Sequence, residues 1–448
     1  MTSRPTLDVW LYGTLIGSLS EPEYGKLRFD FTDEAEHRFR SGSVVLSTSM
    51  PLNSLRRPRG DLVRAYFDGV LPEGQIRDRL SDEFAVRRGD GFGLLSAIGR
   101  DCAGAVVIQP NGSPRPGSGG RVDPLADQDL ERLIARLEER PLGADHEVRA
   151  SLPGVQEKLL LAKTPDGAWG RPVDGAPSTH ILKPQDMRLN AYAAAESFCL
   201  NLARHLDLTD LDAEVIDVDG RPLIVVSRCD RQLTSAGVVR IHQEDACQAL
   251  GVDCSSWPDR KYQDKGGPSL RQFAAVLADF AAPSDRYKLL ALTVLNVAVG
   301  NADAHARNLS IVHLPDGSTS LASAYDLTPT TFYRNVPTPE GLKDLTDNLG
   351  MWVNGKRSIH AITATDIMDE GASWGLPAAE ASEVVRVTLE GIAACIEPLT
   401  REVPIPAAMV DFIATRVERL SAGRPAGGTT ATGRSSRTVV AKSRMNRV

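Results

Sequence analysis

The sequence predicts an α+β protein of two lobes, a strand-rich half followed by a helix-rich half. Three observations carry this. Short runs of β-branched and apolar residues bounded by turn residues recur up to residue 228. Helical periodicity dominates after Glu244, interrupted by one hairpin. A stretch of Gly, Ser and Pro at 111–120 divides the first half. A strand-rich segment followed by a helix-rich one fits segregated α+β architecture better than alternating β-α units.

Taken in order, residues 7–19 read as two short strands around a turn, and further strand signals follow at 25–29 and 43–46. Helical periods cover 62–71 and 74–84. After the 111–120 linker, Leu130, Leu133, Ile134 and Leu137 mark one face of an amphipathic helix. Residues 158–163 and 179–183 read as strands, and 190–206 as an Ala-rich helix with Asn190 as candidate N-cap. The segments 214–218 and 222–227 flank an Asp219-Gly220 turn and read as a hairpin. The organisation expected is a subdomain at 1–115, a linker and helix at 116–148, and a core at 149–420 whose small-lobe part runs to about residue 228. A tail at 421–448 carries six basic residues and no acid; its composition predicts disorder.

The chain has 448 residues, enough for two or three domains. Its 42% hydrophobic and 24% charged content is that of a globular protein. A net charge of -7 excludes nucleic-acid binding over the whole surface and leaves only local basic patches for it. The six cysteines have no CxxC spacing and several lie in apolar runs, so reduced thiols and a cytoplasmic location are expected. No apolar run reaches membrane-span length and no signal-peptide core is present, so no membrane partner is expected.

Chemistry concentrates at Gly300-Asn301-Ala302-Asp303-Ala304-His305-Ala306-Arg307-Asn308 and at Ala324-Tyr325-Asp326. Residues 309–314 read as a strand, Pro315-Asp316-Gly317-Ser318 as a turn and 319–324 as the return strand. Such a hairpin brings Asn308 and Asp326 together. Phosphoryl transfer needs this set: a carboxylate beside the attacking hydroxyl, here Asp303, with an amide and a carboxylate on magnesium. Protein kinases use the same Asp-to-Asn interval followed by a metal-binding Asp. Any one of these residues alone reads as a turn or cap residue; the spacing and the hairpin together favour function. Upstream, residues 151–158 hold one glycine and form a weak candidate phosphate loop. Lys183 ends a strand, as the nucleotide lysine of kinases does, and Glu196 lies on the following helix, either as its partner or exposed.

These residues carry a family resemblance. The chain resembles HipA-type serine/threonine kinases, the toxins of HipBA toxin–antitoxin modules, up to about residue 420. The segment from Tyr66 to Gly74, containing Leu71-Pro72-Glu73-Gly74, is similar to the family's F-x-N-L-L-P-E-G motif. Ile98-Gly99-Arg100-Asp101-Cys102-Ala103-Gly104-Ala105 is similar to its IG-x-DCAGA motif. Further matches are residues 151–158 (S-x-x-G-x-QEK), 179–183, Gln243-Glu244-Asp245, Lys261-Tyr262 with Gly266-Gly267-Pro268, and 301–308.

The resemblance implies a two-lobed protein-kinase-like fold with an N-terminal β-rich subdomain and a mostly helical C-lobe, using ATP and Mg2+. It implies Asp303 as catalytic base and Asn308 and Asp326 as magnesium ligands. Lys183 would contact ATP phosphates, and Pro153, Gly154, Val155, Gln156, Glu157 and Lys158 would form the phosphate loop. His305, Ala306, Arg307, Asn308 and Tyr325 would line the nucleotide site. Ser227, Arg228 and Cys229 would form the adenine-side hinge, and Ser151 would be the autophosphorylated serine. At the hinge the chain departs from the family's usual Val-Glu-Arg-Phe-Asp-Arg. Here it reads Val226-Ser227-Arg228-Cys229-Asp230-Arg231, which removes a polar contact and an aromatic wall and leaves main-chain hydrogen bonds for adenine. The partners implied are a HipB-like helix-turn-helix antitoxin, operator DNA through that antitoxin, and a protein substrate of the aminoacyl-tRNA synthetase class. Two alternatives are a two-metal phosphoesterase, for which the histidines are few, and a catalytically weak co-repressor acting through the antitoxin.

Overall fold

The structure, a computed structural model, describes residues 5–428 apart from 53–56, 118, 138, 146, 155, 165, 236, 339 and 340. Strands β1 (Leu7–Leu11), β2 (Thr14–Glu23) and β3 (Lys26–Phe31) form an antiparallel meander. Helices α1 (Asp33–Arg38), α2 (Gly60–Gly69), α3 (Gly74–Glu83) and α4 (Gly91–Ile98) follow. β4 (Val107–Pro110) returns to pair with β1, giving the order β3-β2-β1-β4. Alternation along the strands sends Leu7, Val9, Leu27 and Phe29 into one core with Tyr66 and Phe67 of α2.

The small lobe is a six-stranded antiparallel sheet. Its elements are β5 (Arg121–Pro124), α5 (Asp127–Ala135), β6 (Leu159–Lys163), β7 (Trp169–Val173), β8 (His180–Pro184), α6 (Tyr192–His205), β9 (Ala213–Val218) and β10 (Arg221–Ser227). The strand order is β5-β7-β6-β8-β10-β9. The period of two in β10 assigns its faces: Leu223 and Val225 pack with Leu130 and Ile134 of α5, Ile224 and Val226 with the core shared by α6 and the helical lobe.

The helical lobe begins with β11 (Arg231–Thr234), β12 (Gly237–Arg240), β13 (His242–Asp245) and α7 (Ala246–Ala249). Next come α8 (Leu270–Phe280) and α9 (Pro283–Val299), then β14 (Ser310–His313) and β15 (Thr319–Leu321), which join β13 in a three-stranded sheet. Two small hairpins, β16 (Val336–Thr338) with β17 (Gly341–Lys343) and β18 (Asn348–Val353) with β19 (Lys356–Ser358), precede α10 (Ala364–Ser373), α11 (Ala378–Glu402) and α12 (Ala407–Ser421). Helix α9 is buried along most of its length, against α8, α10, α11 and α12. Pro283 starts it, and Gly300 stops it in the left-handed region (φ +80), where a β-carbon would meet the Thr331 hydroxyl at 2.7 Å.

The fold class is as the sequence predicts, and several local readings are corrected. Residues 43–46 form no strand: Val45 and Leu46 are apolar because they are buried, and the Leu46 carbonyl accepts from the His242 ring. Asn190 is not the N-cap of α6; Ala191 occupies that place in a left-handed conformation, with no side-chain cap. The linker reading ends too late, because Arg121–Pro124 is an edge strand on β7 and α5 belongs to the small lobe's core. The return strand of the site hairpin stops at Leu321, so residues 322–326 are free to turn into the site. The tail does not leave the fold at residue 421: Ala426 is buried and donates to the Ile362 carbonyl, and Gly427 to that of His360. Residues 429–448 lie outside the described residues.

Candidate active site

The site is assembled where α9 ends. After Gly300, the main chain of Asn301 bonds back to Asn296, and its side-chain amide donates to Asn296 Oδ1 at 2.8 Å and to the Asp326 carbonyl at 3.4 Å. The Thr330 hydroxyl accepts from Ala302 N–H at 2.9 Å, and the Thr331 hydroxyl donates to the Gly300 carbonyl. Gly350 N–H donates to the Ala302 carbonyl at 2.8 Å, and its α-carbon lies so close that a β-carbon would stand 2.9 Å from the Ala304 backbone. The segment 301–305 is thus held from three sides before Asp303 enters any chemistry.

Asp303 lies between these anchors. Its carbonyl accepts from His305 N–H at 2.7 Å and from the Asn308 side-chain amide at 3.2 Å. Its carboxylate accepts from the Tyr262 hydroxyl at 2.8 Å. Burial raises the Asp303 carboxyl above its ordinary range, and the Tyr262 bond opposes that rise. Because the Asn308 amide nitrogen is committed to Asp303, the amide oxygen is the atom left for a cation. The Tyr325 hydroxyl donates to the Arg307 carbonyl at 2.9 Å and shares a 2.6 Å bond with Ser310. This ties the start of β14 to the segment following β15 and sets Asp326 beside the loop, in a left-handed conformation (φ +57).

Lys183, at the end of β8, donates to Glu196 of α6 at 2.7 Å and to Asp326 at 2.5 Å. Glu196 is therefore the buried partner of Lys183 and not an exposed helix residue. Burial alone would raise the Asp326 carboxyl, but Lys183 beside it brings the carboxyl down to about 2. Lys158 is buried near the same pair. Burial and the Lys183 charge push it down to about 8, and it donates to the Pro153 carbonyl at 2.6 Å. His305 is buried as a neutral ring, pushed to about 3 by burial and by Lys261, and its Nδ1 has no hydrogen-bond partner among the described residues.

These atoms fit a divalent cation that takes few ligands from protein and the rest from phosphate and water: one anionic carboxylate and one amide oxygen, with two buried polar atoms near Asp326, Asn301 Oδ1 and His305 Nδ1, that have no partner among the described residues. Among the described residues no cluster of three or more His, Cys, Asp or Glu is arranged to hold a metal by itself, which a two-metal phosphoesterase requires.

The candidate phosphate loop leans on the N-terminal subdomain. Ser151 is fully buried; its hydroxyl donates to the Val70 carbonyl at 2.7 Å and its N–H to that of Asp101. Gly154, in the left-handed half of the map (φ +115), accepts from Glu73 N–H, and Glu157 pairs with Arg79 at 3.1 Å. Pro153 and Gln156 are half-buried, and Val155 lies outside the described residues. In this seat the Ser151 hydroxyl is closed off from solvent.

Two residues placed in the nucleotide site by resemblance turn their side chains away from it. Arg307 reaches into the N-terminal subdomain, donating to Glu73 at 2.5 Å, to the Gly69 carbonyl and to Asp245 at 3.0 Å. Arg228 is buried with Asp230, Ser178 and the Cys102 carbonyl. At the hinge, the Ser227 hydroxyl accepts from Asp212 N–H and the Cys229 thiol donates to Gln243. The Ala306 side chain is fully buried in the helical-lobe core. The sequence reading assigned no role to Tyr262, Lys261 or Glu73. Each stands in a quoted motif, but nothing local in the sequence links them to residues 303–307.

Two lobes, a strand-end lysine paired with a helix glutamate, and an Asp–Asn–Asp set on a loop and hairpin define a kinase-like fold. A sequence profile described as "HipA N-terminal domain" matches residues 7–109, and one described as "HipA-like C-terminal domain" matches residues 150–396. The chain belongs to the HipA family. It is 32% identical over 429 residues to putative kinase Y4mE of Sinorhizobium fredii, covering 93% of this chain and 97% of that one. It is 27% identical over 387 residues to the serine/threonine-protein kinase toxin HipA of Shewanella oneidensis, covering 81% and 84%. Among solved structures, HipA in the Shewanella oneidensis complex of HipA, HipB and operator DNA shares the fold. The TM-score is 0.76 at 24% identity, over 92% of this chain and 96% of that one. Among the described residues no helix is long and apolar enough to cross a membrane.

Proposed function

We propose that this chain is an ATP- and Mg2+-dependent serine/threonine protein kinase and the toxin of a cytoplasmic toxin–antitoxin module. The observation that carries the reading is the convergence of Lys183, Glu196, Asp326, Asn308 and Asp303 on one place from two lobes. Asp303 accepts the proton of a Ser or Thr hydroxyl as its oxygen attacks the γ-phosphorus and ADP departs. Lys183, held charged by Asp326 and Glu196, binds phosphate oxygens, with Lys158 beside it. Asn308 and Asp326 would hold Mg2+, which when bound would supply charge neutralisation of the phosphates. The main chain of residues 227–229 binds adenine.

The test is incubation with ATP and Mg2+ followed by intact-mass and peptide mapping. Phosphate on Ser151 is the expected result, absent in Asp303→Asn. Label transfer persisting in Asp303→Asn would sink the mechanism. Burial of Ser151 supports an off-switch: a dianionic phosphate cannot return to a seat against the Val70 carbonyl. The family resemblance points to an aminoacyl-tRNA synthetase as target, with growth arrest as outcome.

The named HipB and operator-DNA complex of the fold relative favours a second role, repression through a helix-turn-helix antitoxin. With a net charge of -7, this chain would take its DNA contacts from that partner. Operator binding by the chain alone, or by the complex with no dependence on the antitoxin, would overturn that assignment.

A further inference from the structure

Tyr262 sits in a double turn built for it. It lies between the short 3-10 turns Pro258–Lys261 and Gln263–Lys265. Its N–H donates to the Asp259 carbonyl, and its own carbonyl accepts from Gly267 N–H at 3.0 Å. Gly267 has no room for a side chain, since a β-carbon would stand 2.1 Å from the Arg260 carbonyl. The turn is tied at both ends: Lys261 donates to Glu73 of the N-terminal subdomain at 3.2 Å, and Gln263 accepts from Trp352 N–H at 2.8 Å. The Tyr262 ring stands edge-on to His305, with centroids 5.2 Å apart.

All this aims one phenol at one carboxylate. Among the described residues, Tyr262 is the hydrogen-bond partner of the Asp303 carboxylate, through Oδ1 at 2.8 Å. Asp303 is surrounded by charges of both signs, Asp326 and Glu73 against Lys261. A cation bonded directly to it would compete for the second oxygen; a neutral phenol occupies one oxygen and leaves the other for an acceptor hydroxyl. We infer that Tyr262 is a positioning residue for phosphoryl transfer, fixing the Asp303 carboxylate so that Oδ2 faces the acceptor. The inference rests on the kinase reading.

The experiment compares full-length wild type, Tyr262→Phe, Tyr262→Ala and Asp303→Asn in single-turnover phosphate incorporation from labelled ATP with Mg2+, across pH. Tyr262→Phe keeps the ring against His305 and loses only the donor. Its maximal rate is expected to fall on the order of tenfold to a hundredfold, with the ATP concentration for half-maximal rate unchanged. Without the donor the carboxylate is harder to keep ionised, so the acid limb of the pH–rate profile moves to higher pH. Tyr262→Ala should be no faster than Tyr262→Phe.

An active wild type, inactive Asp303→Asn and a Tyr262→Phe protein with unchanged rate and acid limb would overturn this inference alone. So would a faster Tyr262→Phe protein, or phosphate on Tyr262 itself, since the phenol would then stand where the acceptor belongs. A wild type that incorporates no phosphate overturns both this inference and the kinase reading.

Discussion

Replacing Glu73 tests whether the N-terminal subdomain finishes the active site. The Glu73 carboxylate is 8% exposed and holds two cations from the core, Arg307 at 2.5 Å and Lys261 at 3.2 Å, themselves 6% and 10% exposed. Removing one member of a buried ion pair leaves an uncompensated charge at about 3–5 kcal/mol. Here Arg307 keeps Asp245 at 3.0 Å, so Glu73→Ala should lie at the lower end, about 3 kcal/mol. Glu73→Gln keeps the shape and one acceptor, and should cost about 1.5–2 kcal/mol. Both are read as a fall in urea midpoint at unchanged slope. Activity should fall further than stability does, because Arg307 lies between Asp303 and Asn308 and Lys261 adjoins Tyr262.

The acid dependence gives an internal check. Burial would raise the Glu73 carboxyl, but Arg307 and Lys261 hold it below its ordinary range. Its stabilising contribution is therefore complete above the unfolded-state value and is lost as pH falls toward the folded one. Glu73→Gln should flatten that part of the stability–pH curve. A Glu73→Gln protein within about 0.5 kcal/mol of wild type, with unchanged phosphoryl transfer, would refute the brace.

Lys183→Met removes the cation that Glu196 and Asp326 share and strands Glu196 in the core; on the proposed function transfer should be abolished, and the variant should bind nucleotide more weakly in calorimetry. Gly350→Ala puts a β-carbon 2.9 Å from the Ala304 backbone; we expect a cost of about 1–3 kcal/mol and a rate loss larger than that of any exposed Gly→Ala control. His180 and His242, 7% and 0% exposed, are each pushed down to about 4 by burial. The unfolded chain protonates them near 6.5 and the folded chain only near 4. Stability should therefore be complete above about pH 6.5 and fall through this window by on the order of 3 kcal/mol per ring. A flat urea midpoint from pH 7 to 5, or no reduced slope in His242→Gln, would contradict this.

Local signals in the sequence led to some parts of the site and not to others. The turn Pro315-Asp316-Gly317-Ser318 specifies the β14–β15 hairpin, and Asp303 and Asn308 are linked by a contact across five residues. Lys183 reads as a strand end because the apolar run Ile181-Leu182 stops there and Pro184 follows. The unread parts are contacts between distant segments: Glu73 with Arg307, Tyr262 with Asp303, Asp101 with Arg228, Arg231 and Arg240. A charged residue in a motif advertises neither its burial nor its partner. β5 escaped for a related reason. Arg121-Val122-Asp123-Pro124 is an edge strand whose side chains are largely solvated, so its pairing leaves no apolar alternation to read.

Three ion networks, buried apart from the 45%-exposed Asp326 side chain, stand at the junctions of this molecule. One joins Lys183, Glu196 and Asp326 across the lobes; one joins Glu73 to Lys261, Arg307 and Asp245; one joins Asp101 to Arg228, Arg231 and Arg240 beside the hinge. Such networks are poor sources of net stability, since desolvation offsets most of the attraction. Their value is in arrangement: each charge is tolerable in only one geometry, so a shifted lobe or loop strands a buried ion. In the second and third networks an acid from the N-terminal subdomain holds bases from the core, once at the loop bearing Asp303 and once at the hinge. The subdomain that the profile match separates at residue 109 is thus mechanically part of the core that begins near residue 150. Positioning of the loop bearing Asp303 and of residues 228–231 both depend on residues that precede the core in sequence.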